Sequence, residues 1–276
     1  MTNKLRSLFS ENQKVCSVYL PAGYPCIDST VSLVKKLAEC GVSLIELGIP
    51  FSDSVVDGPV IQAANTKALQ NGMHMNLLFE QIREIRKSTT VQIVLMGSFN
   101  PVLQYGVERF CEVCEEVGVH GAILPDLPYE VYLETYATHF EQHGVGVCFL
   151  VTSETAPERV RQLASASSGF LYVVSAPGVT GGVLSVDEGR VNYLSRLKEM
   201  NLPAPLVVGF GVKEYEQVRA VFNYASGVIV GTEYLRWIES ADDVVKAMGE
   251  FVREVFQSTR SPNAVNLKNE HWLNKF

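Results

Sequence analysis

The chain has 276 residues, 47% of them hydrophobic and 19% charged, which supplies a large core and excludes a disordered, charge-rich segment. Acidic residues number 30 against 23 basic ones, and the resulting net charge of −7 excludes the basic face needed by a nucleic-acid or anionic-membrane binder. Met1 to Lys14 lacks the apolar centre of a signal peptide, and no run reaches the roughly 18 apolar residues of a membrane span. Cys16, Cys26, Cys40, Cys111, Cys114 and Cys148 are scattered through apolar surroundings. The one C-x-x-C pair, Cys111 and Cys114, falls in a stretch with helical spacing and has no second ligand pair. Buried, reduced thiols in a cytosol-like compartment are therefore expected, with no metal site.

In chain order, short β-branched runs predict strands at Val15–Leu20, Ser43–Ile49, Val91–Met96, Gly121–Leu124, Val145–Val151, Phe170–Val174, Leu206–Phe210 and Gly227–Val230. Apolar residues three and four apart predict helices at Ser29–Cys40, Leu77–Lys87, Val107–Val117, Val131–His143, Pro157–Ala166, Val191–Met200, Glu214–Phe222 and Asp242–Phe256. Strands that are apolar throughout imply burial on both faces, hence a parallel sheet. Eight strand–helix repeats fit a closed (β/α)8 TIM barrel, with an open doubly wound sheet as the alternative. No linker rich in Pro, Gly or Ser divides the chain. One barrel domain is expected over residues 1–257, followed by a polar tail, Ser258–Phe276, without periodicity.

Active sites of such barrels lie at the C-terminal ends of the strands. The second strand, Ser43-Leu44-Ile45-Glu46-Leu47-Gly48-Ile49, holds an acid in an apolar run, where an ionised carboxylate is costly unless it is paired or functional. Burial should raise the Glu46 pKa and suit it to acid–base work near neutral pH. An outward-facing or ion-paired Glu46 is the plain alternative. Asp53 and Asp57 follow in the next loop, where either also suits a turn or cap. Glycines gather at three late strand mouths: Gly178 with Gly181 and Gly182, Gly209 with Gly211, and Gly231 beside Thr232. Their backbone amides suit a phosphate, although tight turns alone also call for glycine. Tyr19, Met96, Phe99, Phe149 and Tyr172 near strand ends describe a flat apolar pocket or, singly, core packing.

The run Glu46-Leu47-Gly48-Ile49-Pro50-Phe51-Ser52-Asp53, continuing to Asp57-Gly58-Pro59-Val60-Ile61-Gln62, resembles the signature of the tryptophan synthase α-subunit family. Gly178-Val179-Thr180-Gly181, Gly209-Phe210-Gly211 and Gly231-Thr232 match its phosphate-binding loops. The resemblance spans about Val15 to Phe256. It implies a (β/α)8 barrel that cleaves indole-3-glycerol phosphate to indole and glyceraldehyde 3-phosphate, without cofactor or metal, and passes indole to a β subunit in an αββα heterotetramer. It further implies Glu46 as the proton-shuttling acid/base and Asp57 as the second catalytic carboxylate. Tyr19, Phe149, Tyr172 and Phe210 would line the substrate site, with Thr180, Gly181, Gly211, Gly231 and Thr232 around the phosphate. The chain departs from the usual pattern at Ser54, where Pro is common, at Pro21, where Thr is common, at Ser175-Ala176-Pro177, where an Arg is common, and at Thr232, where Ser is common. Ser54 falls on the loop expected to touch the β subunit, together with the strand-three mouth at Ser98–Leu103.

Two other readings stand beside the lyase. An α-like subunit without cleavage would only activate its β partner, but the chain retains both Glu46 and Asp57. A different phosphate-binding barrel isomerase or aldolase is the third; its Schiff-base form would want a lysine in a strand, and none of the eight contains one.

Overall fold

The computed structural model describes residues 4–9, 14–54, 57–174, 188–209 and 211–257. Its strands are β1 (Val15–Pro21), β2 (Leu44–Gly48), β3 (Gln92–Met96), β4 (Gly121–Ile123), β5 (Gly146–Val147), β6 (Leu150–Val151), β7 (Leu171–Val173), β8 (Leu206–Val208) and β9 (Gly227–Val230). All pairings are parallel, in the order β5-β4-β3-β2-β1-β9-β8-β7-β6. The two ends of that order, β5 and β6, are consecutive pieces of the single fifth strand expected over Val145–Val151. Only Cys148 and Phe149 separate them. Cys148 N donates to Ala122 O at 2.9 Å on one side, and Phe149 O accepts from Tyr172 N at 2.9 Å on the other, so hydrogen bonding runs around the whole ring. The eight expected strands thus close into a barrel, and the open-sheet alternative falls away.

Strands β1 and β2 are buried at every position, as continuous apolar runs require when helices cover one face and the barrel interior the other. Tyr19, Glu46 and Val94 are register partners across β1, β2 and β3 and share the inner face, and Gly121 of β4 continues the row. The base of the barrel is filled from the N-terminus. Leu5, on the short helix Lys4–Ser7, is fully buried, and its Cδ2 lies 2.5 Å from where a Cβ would stand at either Gly121 or Gly169. Glycine at these two positions makes room for the leucine. Arg6 donates to the carbonyls of Ser167 and Pro203 and holds the segment in place.

The eight expected helices are present with boundaries shifted by a few residues; that predicted at Val131–His143 starts at Tyr129 and contains a π-helical turn at Tyr132–Tyr136. Three further helices, Pro59–Gln70, Phe99–Tyr105 and Thr232–Glu239, sit directly at strand mouths. Pro59–Gln70 follows Gly58 with Pro at its first position, a good helix start. It buries only Ala64, Asn65 and Ala68, too thin an apolar stripe for periodicity to reveal. The tail after residue 257 lies outside the described residues. Among the described residues no helix is long and apolar enough to cross a membrane.

Candidate active site

Glu46 stands in the middle of β2 with its side chain in the barrel interior, 1% exposed, and neither carboxylate oxygen has a hydrogen-bond partner among the described residues. Burial, and then the negative charge of Asp57, push its pKa up to about 8. Most of the Glu46 population is therefore a neutral acid at pH 7. Asp57 lies half-buried on the loop after β2, and burial raises its pKa while hydrogen bonds from Ser54 and Asn65 pull it back down. Asn65 Nδ2 donates to Asp57 Oδ2 at 3.3 Å and to Ser54 Oγ at 3.2 Å, and Gln62 Nε2 donates to the main-chain carbonyls of Asp57 (3.0 Å) and Ser54 (3.3 Å). One face of helix Pro59–Gln70 thus ties the loop down.

Two tyrosines complete the interior. Burial drives the phenols of Tyr19 on β1 and Tyr172 on β7 well above their ordinary range, with Glu46 and Asp57 adding to both. A Cβ at Gly209 would stand 2.1 Å from the Tyr172 hydroxyl oxygen, and one at Gly48 would stand 2.7 Å from that of Tyr19. These glycines let each ring lie flat over the neighbouring strand. Packing of Tyr172 therefore accounts for Gly209 with no appeal to phosphate.

At the mouths of β1, β2 and β3 opens a small cleft lined by Tyr19, Phe51, Asp57, Asn65, Met96 and Pro125, among others. Asp53, the third carboxylate of the sequence cluster, is exposed and accepts from the Ser52 hydroxyl at 2.7 Å. The pair that the fold assembles is Glu46 with Asp57. Phe149 also departs from expectation. Cys148 faces the barrel axis, its Sγ 2.9 Å from a Cβ at Gly169, so alternation along the strand turns Phe149 outward, into edge contacts with Tyr129 and Tyr132.

Gly211, with φ +60°, and Gly231 lie at the mouths of the neighbouring strands β8 and β9, and Gly231 leads into helix Thr232–Glu239. Free amides at that helix start and the cleared turn at Gly211 favour an anion. The guanidinium of Arg190, on helix Glu188–Glu199, lies against the same turn, its Nη1 3.6 Å from a Cβ at Gly211. Thr180, Gly181 and Phe210 fall outside the described residues. Sequence reasoning missed Asn65 and Arg190. The first had a weak signal in the Gly58-Pro59 helix start, and the second had none.

A closed parallel barrel with a buried acid facing a second carboxylate, and with glycine turns at its last two strand mouths, defines a barrel enzyme built for proton transfer on a phosphorylated small molecule. The chain matches the tryptophan synthase alpha chain family over residues 5–261. It is 42% identical over 254 residues to the alpha chain of Flavobacterium psychrophilum, covering 92% of this chain and 100% of that one. It is 42% identical over 247 residues to the alpha chain of Bacteroides thetaiotaomicron, covering 89% and 96%. Among solved structures, the Legionella pneumophila alpha chain superposes with a TM-score of 0.79 at 34% identity, covering 90% of this chain and 92% of that one. A chain of the Pyrococcus furiosus tryptophan synthase complex gives 0.81 at 30% identity, covering 88% and 98%. The chain belongs to the tryptophan synthase alpha chain family. It is a carbon–carbon lyase of tryptophan biosynthesis that works with a β subunit, and neither the activator-only nor the isomerase reading is favoured.

Proposed function

We propose that Glu46 and Asp57 carry the cleavage of indole-3-glycerol phosphate in this chain, Glu46 as the proton shuttle and Asp57 as the partner of the indole N–H. Retro-aldol cleavage needs a proton on the ring carbon that bears the glycerol chain, and removal of a proton from the hydroxyl on the adjacent carbon. A protonated Glu46 gives the first; the carboxylate left behind accepts the second as the carbon–carbon bond breaks. The acid is regenerated and indole and the aldehyde leave. Protonation makes the ring cationic, and an ionised Asp57 at the N–H stabilises that charge as it develops. The observation that carries this reading is the buried carboxyl of Glu46, without a hydrogen-bond partner among the described residues and with its pKa pushed up to about 8 by burial and by the charge of Asp57. Tyr19 and Tyr172 wall the ring pocket. Gly211, Gly231, Thr232 and the guanidinium of Arg190 suit the phosphate, with Thr180, Gly181 and Phe210 expected beside it. Six free thiols are consistent with a cytoplasmic protein.

The test is indole release with and without a β subunit. Inorganic phosphate competes with substrate, and Arg190→Ala raises KM about tenfold while kcat changes little, as expected for loss of a charge-assisted hydrogen bond to a group remote from the reacting carbon. No competition by phosphate would overturn the phosphate site.

The β subunit docks beside the cleft, over the helices after β3 and β4. Leu103 (47% exposed) and Leu133 (48% exposed) stand there on adjacent elements bridged by the Phe99–Tyr136 ring contact. Leu103→Asp with Leu133→Asp weakens the complex by tenfold or more in a titration against the β subunit, the scale of central apolar interface residues, and leaves the isolated chain folded by circular dichroism. Unchanged affinity would move the interface elsewhere.

A further inference from the structure

We propose that Ser54 is a positioning residue for the reaction, its hydroxyl fixing the orientation of the Asp57 carboxylate together with the Asn65 amide that both of them share. The proposal rests on Asp57 being the carboxylate that acts in the cleavage. Ser54 is only 6% exposed, although Ser52 and Asp53 just before it on the same loop are exposed. Its Oγ accepts from Asn65 Nδ2 at 3.2 Å, and hydrogen bonding from the Ser54 side chain is one of the two influences that hold the Asp57 pKa down against burial. The same Asn65 amide reaches Asp57 Oδ2 at 3.3 Å. One amide therefore bridges the buried hydroxyl and the carboxylate, and fixes each with respect to the other.

The main chain repeats the link. Asp57 N donates to Ser54 O at 3.0 Å, and Gln62 holds both carbonyls. With the backbone tied in this way, loop shape does not depend on the hydroxyl, which alanine nearly matches in volume. What the hydroxyl adds is direction and charge. A hydrogen bond to the ionised form keeps Asp57 ionised against the burial that raises it, and stops the carboxylate rotating away from the cleft.

Ser54→Ala and Ser54→Thr, assayed with the β subunit present, separate this role from a structural one. The alanine variant loses about three- to tenfold in kcat, the scale of one hydrogen bond, and the acid limb of its rate profile moves to higher pH. The threonine variant, which keeps the hydroxyl, restores both. Carbon-13 NMR of the Asp57 carboxyl is the companion measurement, and in the alanine variant its titration moves up with the rate. An unmoved Asp57 titration overturns the proposal, as does a loss of melting temperature with an unchanged pH profile. An Asp57 titration that moves while the rate profile stays fixed strikes instead at the catalytic role of Asp57.

Discussion

Glu46→Gln lowers indole release by a factor of about 10² to 10⁴, the usual contribution of a positioned acid–base group. Glutamine preserves the volume of the side chain and its burial, so the loss reports the proton and not the packing. The pH dependence sharpens the test. Burial and the Asp57 charge push Glu46 up to about 8, and cleavage starts from its protonated form, so kcat/KM of the wild type declines above about pH 8. The residual activity of Glu46→Gln lacks that limb. Asp57→Asn moves the limb to lower pH, because it removes one of the two causes that raise Glu46. It also costs turnover by withdrawing the charge opposite the ring N–H. If Glu46→Gln turns over at near the wild-type rate, proton transfer belongs to another group.

The same carboxyl makes the folded state pH-sensitive. Its ordinary pKa is 4.5, and in the folded chain it rises to about 8. Between these values the folded state holds the proton and the unfolded state does not. Stability contributed by the neutral form is complete below pH 4.5, falls as pH rises through the window, and stays low above pH 8. Asp57, also raised, acts in the same direction. Glu46→Gln lacks the Glu46 share of this dependence, so it is more stable than the wild type at pH 9 by a few kcal/mol, at about 1.4 kcal/mol for each pH unit between the two pKa values. For a chain of this size each kcal/mol moves the melting temperature by about 2–4 °C. Thermal unfolding at pH 5 and pH 9 checks it. A difference between wild type and variant that is the same at both pH values would mean that folding does not shift the Glu46 pKa.

The gain in stability and the loss of activity come from one substitution. An uncompensated acid in a barrel interior is expensive, and here the expense is what supplies a proton donor at neutral pH.

Much of this was open to reading in the residues. The barrel came from eight β-branched runs that needed burial on both faces, and Glu46 stood out because an acid interrupts one of them. Asp57 was found with two carboxylates beside it, but which of these would turn inward depended on contacts that no spacing encodes. Asp53 finds its neighbour Ser52, while Asp57 finds Asn65, eight residues on, in a helix with only a narrow buried stripe. Phe149 is not legible as an outward residue because a strand that is apolar throughout gives no sign of which alternate set, that of Cys148 or that of Phe149, faces the axis. The sequence places Ser54 on the loop toward the partner subunit, and its hydrogen bond with Asn65 makes it a neighbour of the chemistry as well. Arg190 meets Gly211 only through the closed ring.

The segment that stoppers the base of the barrel carries a consequence for the order of assembly. Leu5 and Arg6 are made well before their partners, since the seat for Leu5 needs Gly121 and Gly169, and the carbonyls that anchor Arg6 lie 161 and 197 residues further along. This segment must therefore wait for residues as distant as Pro203 before it finds its place. Loop-closure entropy grows only slowly with such separations, so the delay costs little in final stability. Leu5 and Arg6 are thus sealed in late, and they bolt together strands from both halves of the ring.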